Sequence, residues 1–389
     1  MDRFTVSRNI YHGDHAFDSL VKLKGKSALI VTGENSVRDN GILDNVLSHF
    51  KDSGIKVNVI NGIPSNPTKE LVSRGAFHFG NYSPDWIIAL GGGSVIDAAK
   101  VMWIFYEHPN IKFDDLISNK NLPRLRSKSR FVAIPTTFSV SSVTPVAMIS
   151  DWDTRFKWIV SDFQLIPDMI IMDNSIVDNI NDNVLVYSIM DSLAHAFESF
   201  MAVNSNSLSD SLSLGAIDTI FRNVEDGFNG DREAKIKLQY ASLSAGMSSG
   251  NAGLGICHSL CDVSELLFKD ANIPHGLLSA IYLPYTIKYN SITNREDYVS
   301  IARRCGIMGF DADELFDNLF DFVLDLNRVF NIPSSLKELD VNFSDITDNR
   351  EELIDKVLLD ENTKNNPRTV KDEDVMLLFE NIYKGSYDF

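Results

Sequence analysis

Asp191 and His195 stand four residues apart in an apolar stretch with helical periodicity, Tyr187-Ser-Ile-Met-Asp-Ser-Leu-Ala-His-Ala-Phe-Glu198. On a helix, that spacing puts a carboxylate and an imidazole on one face. Polar groups on a face that otherwise reads as buried need a partner, and a divalent cation is a good one. Two more histidines follow, in Cys257-His258-Ser259 and Pro274-His275-Gly276. Four ligands of the type Asp, His, His, His suit Fe(II) or Zn(II), both of which accept imidazole and carboxylate. Spacing alone does not bring the four together. Each histidine on its own also reads as a hydrogen-bonded core residue, and the Asp191/His195 pair is what favours a metal. His12, His15, His49, His78 and His108 lie in the first half without such a pattern and read as structural or solvated. Cys257 and Cys261 read as small buried apolar residues. Asp262 is four residues after His258, so it shares that residue's face. It reads as an outer acceptor, a proton relay or a surface charge.

A second kind of chemistry is written upstream. Trp86-Ile-Ile-Ala-Leu-Gly-Gly-Gly-Ser-Val-Ile-Asp-Ala-Ala-Lys100 is strand, tight turn, helix start. Glycines let backbone approach a phosphate, and a helix N-terminus offers free N–H groups and a positive dipole end. The alternative is a tight connection that binds nothing; the strand context favours binding. Phe131-Val-Ala-Ile-Pro-Thr-Thr137 is another strand ending in hydroxyl residues. In open α/β sheets ligands gather at such carboxyl ends, which puts Thr136 and Thr137 near a cofactor.

The elements that must hold these residues fall into two halves. Ala28–Thr32, Lys56–Ile60, Trp86–Leu90, Phe131–Pro135 and Asp168–Met172 read as buried strands, with amphipathic pieces such as Ile42–Lys51 and Lys69–Phe79 between them. That alternation predicts a mostly parallel sheet in an α/β, Rossmann-like domain over residues 1–180. From 181 to 389 the period is 3.6, as in Leu185–Met201, Leu212–Val224, Glu233–Met247 and Asp313–Phe330, which predicts an all-helical domain. Asp340–Arg350 reads as a surface loop.

Bulk properties narrow the function classes. A chain of 389 residues is long for one core and fits two domains. Hydrophobic residues at 44% and charged ones at 23% are ordinary for a globular protein. A net charge of −17 disfavours nucleic acid and anionic membranes as partners, since both need a basic footprint. Three cysteines make no disulfide framework, and the first residues carry no apolar signal segment. No apolar run approaches the roughly 20 residues of a membrane span. The expectation is a cytoplasmic enzyme.

Read jointly and in order, the motifs resemble those of the iron-containing (group III) alcohol dehydrogenases over essentially the full chain. The matching pieces are Gly91-Gly-Gly-Ser-Val-Ile-Asp-Ala-Ala-Lys100, Pro135-Thr-Thr137, Val143-Thr-Pro145, Met190-Asp-Ser-Leu-Ala-His-Ala-Phe-Glu198, Leu254-Gly-Ile-Cys-His258 and Ile273-Pro-His-Gly276. Lys100–Pro109 and Gly255–Leu260 are most similar to the alcohol dehydrogenase half of bifunctional aldehyde/alcohol dehydrogenases. The resemblance implies a metal-binding, catalytic C-terminal domain and an active site in the cleft between the two domains. It assigns metal ligation to Asp191, His195, His258 and His275. It assigns cofactor contacts to Asn66, Gly92, Gly93, Ser94, Asp97, Thr136, Thr137, Thr144 and Lys157, and suggests a homodimer or larger assembly.

The sequence departs from the family at three places. The usual Pro-Thr-Thr-Ser-Gly-Thr-Gly-Ser-Glu loop is here Pro135-Thr-Thr-Phe-Ser-Val-Ser-Ser142, shorter by one and without glycine. A second histidine often follows the third ligand by four residues, and Asp262 stands there instead. The interval from His258 to His275 is about three residues longer than usual, so the loop Glu265–Ile273 differs. After Val31-Thr32, where NAD-preferring members carry Asp, comes Gly33; Glu34 restores an acidic group and Arg38 opposes it, and the balance leans to NAD(H) over NADP(H). The expected activity is reversible hydride transfer between nicotinamide and a small primary alcohol or aldehyde, with reduction as the direction in a fermenting cell and Asp262 as a candidate proton relay. Candidate substrates include diols and aldehydes with an anionic tail such as sulfoacetaldehyde. The competing readings are a zinc-dependent, glycerol-type polyol dehydrogenase and a non-catalytic metal- and nucleotide-binding homologue; Ile273-Pro-His-Gly276 argues for the iron branch.

Overall fold

The computed structural model describes residues 3–34, 36–118, 122–152 and 156–389. The chain divides into two compact units, Met1–Asp182 and Asn183–Phe389. Among its described residues the first unit holds eight strands: β1 (Asn9–Gly13), β2 (Ser27–Gly33), β3 (Lys56–Ile63), β4 (Trp86–Gly91), β5 (Arg130–Pro135), β6 (Val146–Asp151), β7 (Phe156–Ser161) and β8 (Met169–Asp173). Six form a sheet in the order β1-β8-β5-β4-β2-β3, every pairing parallel. The helices are α1 (Ser36–Asp39), α2 (Ile42–Ser48), α3 (Lys69–Tyr82), α4 (Gly93–Glu107) and α5 (Phe113–Ser118).

The central strands are apolar because both faces are covered. Ile87 and Ala89 of β4 pack with Phe79, Met102 and Trp103 on one face, while Ile88 and Leu90 pack with Phe17, Leu20 and Val46 on the other. That two-sided burial made five strands legible. β1 was not among them: it is a half-exposed edge strand, Asn-Ile-Tyr-His-Gly, with no apolar run. β6 and β7 were missed too; they form a separate antiparallel hairpin. α4 supports β6 directly. Asp97 Oδ2 accepts from the Met148 amide at 3.2 Å, and the buried Lys100 Nζ donates to the Thr144 and Val146 carbonyls at 2.9 and 2.8 Å.

Among its described residues the second unit has helices and no strand: α6 (Asp182–Met201), α7 (Ser207–Phe228), α8 (Arg232–Ala252), α9 (Ile256–Leu267), α10 (His275–Arg304), α11 (Ala312–Val329), α12 (Phe343–Asp348), α13 (Arg350–Leu359), α14 (Glu361–Lys364) and α15 (Asp372–Lys384). Two loop expectations are corrected. Within 340–350, Phe343–Asp348 is helical, and the Asn342 and Asp345 that suggested a loop form its capping box. Glu265 is not in a loop either, because α9 continues to Leu267. Among the described residues no helix is long and apolar enough to cross a membrane.

Candidate functional site

α6, α9 and the first residue of α10 bring four side chains of the second unit together. Asp191 and His195 lie one turn apart on α6, with His195 Nε2 3.8 Å from Asp191 Oδ2. His258 sits in the first turn of α9, its Nε2 3.6 Å from Asp191 Oδ1. His275 begins α10, and its Nε2 also lies 3.6 Å from Asp191 Oδ1. Thus the Nε2 atoms of three imidazoles point at one carboxylate. The ligand atoms of Asp191, His195 and His258 all lie within 4.8 Å of one another. All four sequence-predicted ligands therefore meet.

Two of the imidazoles are hydrogen-bonded at their other nitrogen, and the third has carboxylates beside it. His258 Nδ1 donates to Glu198 Oε2 at 2.5 Å, and Glu198 Oε1 accepts from the Cys257 amide at 2.6 Å. His195 Nδ1 is 3.0 Å from Ser249 Oγ on α8. His275 Nδ1 is 3.3 Å from Glu265 Oε1 and 4.0 Å from Asp262 Oδ1. Ser279 Oγ donates to Asp191 Oδ1 at 2.7 Å. Partners at Nδ1 leave the Nε2 lone pairs facing inward, as metal-bound histidines require.

The charges point the same way. Burial would raise Asp191, yet the three imidazoles around it hold its carboxyl well below the ordinary range. Burial lowers His195, and the positive charge of His258 lowers it further. Burial would also lower His258, but Glu198 and Asp191 on either side carry it well above its ordinary value. The buried His258 Nε2 nevertheless makes no hydrogen bond. A divalent cation fits this donor set: it satisfies that nitrogen and replaces the proton that two carboxylates draw onto the ring.

Close backbone approaches build the frame. A Cβ on Gly276 would lie 2.3 Å from the Tyr187 carbonyl oxygen, so only glycine lets α10 start against α6. A Cβ on Gly255 would lie 2.9 Å from Glu198 Oε1.

Sequence reasoning gave no role to Glu198, Glu265, Ser249 or Ser279. A signal existed for three of them. Glu198 is seven residues after Asp191, Glu265 seven after His258 and Ser279 four after His275, so each shares a helical face with a predicted ligand. Ser249 carried no such mark. Asp262 is buried in α9 at the His275 side of the cluster. Its charge, added to burial, raises Asp360 to about 6.

In the first unit, most of the predicted cofactor residues surround one turn. Gly92 precedes α4 with extended backbone, and Gly93 and Ser94 open the helix. A Cβ on Gly92 would come within 3.3 Å of the Thr137 side chain, so that threonine sits against the turn. The Thr136 amide donates to the Gly91 carbonyl at 3.1 Å. Ser94 Oγ donates to the Ser65 carbonyl, which brings the Asn66 loop alongside. Thr144 and Lys157 are buried at the β6–β7 hairpin, and Asp97 is engaged with Met148 beneath it. Of the histidines set aside, His49 pairs with Asp18 and His108 contacts the Arg124 carbonyl.

Residues 7–174 match the family described as iron-containing alcohol dehydrogenase, and residues 185–383 its C-terminal part. The chain belongs to the iron-containing alcohol dehydrogenase family. It is 38% identical over 387 residues to an NADPH-dependent butanol dehydrogenase of Clostridium saccharobutylicum, covering 99% of both chains. It is 30% identical to an aldehyde-alcohol dehydrogenase of Clostridium acetobutylicum, of which it spans 46%. Among solved structures, the iron-containing alcohol dehydrogenase of Thermococcus thioreducens superimposes with a TM-score of 0.90 at 28% identity, covering 99% of this chain and 100% of that one. A 1,3-propanediol oxidoreductase gives 0.89 at 26%, covering 98% and 100%. The dehydrogenase described here is an oxidoreductase acting on CH–OH groups with NAD(P), in a family that uses Fe(II).

Proposed function

We propose that this dehydrogenase interconverts a short, uncharged aliphatic aldehyde and its primary alcohol, using NADPH and a divalent iron held by Asp191, His195, His258 and His275. The observation that carries the metal assignment is the convergence of three Nε2 atoms on Asp191, with His258 and His195 hydrogen-bonded at Nδ1 and a carboxylate 3.3 Å from Nδ1 of His275. When bound, the metal supplies a Lewis acid for the substrate oxygen and the nicotinamide supplies or accepts hydride. The protein's part is orientation: Glu198 and Ser249 fix two of the imidazoles, and Ser279 fixes Asp191. Asp262, buried behind His275, serves as proton relay. The Gly92–Ser94 turn with Asn66, Thr136, Thr137, Thr144 and Lys157 holds the dinucleotide, while Asp97 acts from below through β6.

The nucleotide named for the Clostridium saccharobutylicum relative moves the choice from the NAD(H) that Glu34 favours to NADPH, and two features of this chain are compatible with it. Gly33 ends β2, which pairs with β4 beside the glycine turn, and it offers no carboxylate to repel a 2′-phosphate. Arg38, exposed on α1, supplies a cation five residues on. The uncharged substrate follows from Asp191, Glu198, Asp262 and Glu265, four carboxylates set against one dication. A like charge about 8 Å away costs about 2 kcal/mol near a protein surface, which weighs against sulfoacetaldehyde.

NADPH and NADH oxidation should be followed with butanal, propanal, sulfoacetaldehyde and glyceraldehyde, in Fe(II)- and Zn(II)-loaded protein. Butanal with NADPH and iron is expected to be best. G33D should swing preference toward NADH by tenfold or more; the substitution fits, since a Cβ there meets its nearest atoms at 3.7 Å. Better turnover of sulfoacetaldehyde, or a tenfold preference of the wild type for NADH, overturns the corresponding assignment. No turnover of any aldehyde points to the non-catalytic reading.

A further inference from the structure

Two of the three imidazoles have a carboxylate beside Nδ1, hydrogen-bonded at His258 and in ion-pair contact, short of hydrogen-bond geometry, at His275. His258 has Nε2 3.6 Å from Asp191 Oδ1 and a carboxylate, Glu198, at Nδ1. His275 has Nε2 3.6 Å from the same Oδ1 and a carboxylate, Glu265, 3.3 Å from Nδ1. Both carboxylates are shielded from water, with side chains 6% and 7% exposed. His275 itself is the most exposed of the three, its side chain at 24%. It also starts its helix behind Pro274, so its first turn has no preceding helical turn to fix the ring.

We propose that Glu265 is a positioning residue that completes the metal site: its carboxylate accepts the Nδ1 proton of His275, fixes the tautomer with Nε2 inward, and raises the ring's basicity toward the cation. It does for His275 what Glu198 does for His258. α9 presents both His258 and, seven residues on, Glu265 to the cluster, so one rigid helix sets a ligand and the partner of another. Asp262 Oδ1, 4.0 Å from the same Nδ1, adds negative charge behind the ring without competing for the shorter contact. Outer-shell partners of this kind typically contribute 10–100-fold to metal affinity. The inference rests on the metal reading above.

The test is Co(II) and Fe(II) affinity by chelator competition, with the Co(II) absorption spectrum as a second readout. E265A is expected to lose 10–100-fold in affinity and to change the Co(II) ligand-field bands. E265Q keeps the shape and an acceptor oxygen but not the charge, and should fall between wild type and E265A. In an H275A background, E265A should cost nothing further. Equal affinity in E265A and wild type, or the same loss in the H275A background, overturns the proposal while leaving the metal site standing. A wild-type protein that binds neither metal fails the metal reading itself, and this inference with it. Circular dichroism of each variant separates loss of the site from loss of the fold.

Discussion

Glu198 accepts two hydrogen bonds, one from His258 and one from the Cys257 amide, and is itself buried. Removing it leaves an imidazole donor and a backbone N–H unsatisfied in a dry site. E198A should therefore lower metal affinity 10–100-fold and stability by about 3–5 kcal/mol, as breaking a buried ion pair does. Ser249 makes a neutral contact to His195. S249A should cost about 1 kcal/mol, or roughly fivefold in affinity. Metal content after graded chelator dialysis ranks the two; S249A as damaging as E198A would contradict the hierarchy. H258A removes a proposed ligand, and metal-dependent turnover should vanish while the far-ultraviolet spectrum persists. Full activity in H258A, or in metal-stripped protein, would sink the metal mechanism. At this scale the sequence showed the ligand types through the i,i+4 pair, because helical spacing is a local property. It hid the groups behind the rings: the carboxylates were legible only through their i+7 spacing and Ser279 only through its place four residues after His275, while Ser249 has no ligand at helical spacing and carries no signal.

Elements place these residues by backbone approach and by buried charge, and each has a consequence. G276A would drive a methyl group into the Tyr187 carbonyl, so α10 must move off α6 and take His275 with it. Because the obstacle is backbone rather than a flexible side-chain tip, the variant should lose both metal affinity and several degrees of melting temperature; a wild-type melting curve would show that α10 has room. In the first unit, burial lowers Lys100 to about 8, although Asp97 opposes the shift. Below pH 8 the lysine is charged in folded and unfolded chains alike, so its contribution is flat. Between pH 8 and about 10.5 the unfolded chain holds the proton and the folded one does not, so stability from this group rises with pH. The gain is about 3.5 kcal/mol at most, from a difference of about 2.5 units at about 1.4 kcal/mol each. K100M should flatten that rise in denaturant titrations from pH 7 to 10.5, and an unchanged slope would mean that the amine stays charged. Strand legibility followed the same logic of burial. β4 and β5 were readable because both faces are covered, whereas β1 at the sheet edge and the β6–β7 hairpin lack that pattern.

For the whole molecule, the change near residue 180 from strands alternating with helices to unbroken 3.6-residue periodicity lies close to where contacts divide the chain, at 182/183. The meeting of His258 and His275 with Asp191 was not derivable from spacing, because sixteen and sixty-two residues of helix and turn separate the ligands; only the family resemblance suggested it. The division has a thermodynamic consequence. All four proposed ligands and their supporting carboxylates belong to the second unit, and the proposed dinucleotide turn to the first. A ligand stabilises the native state that binds it, by about 2.7 kcal/mol at a hundredfold excess over Kd. Hydrogen exchange should therefore register each ligand where its donors lie. Fe(II) or Co(II) is expected to slow exchange most in α6, α9 and the start of α10, by up to about a hundredfold for amides that open with the site. NADPH should protect most strongly the end of β2, the β4–α4 turn and the β6–β7 hairpin. Mass-spectrometric exchange with each ligand separately, and with both, measures this. If the metal's strongest protection falls in the sheet, or the nucleotide's in α9 and α10, the ligand assignments are wrong even where turnover is normal.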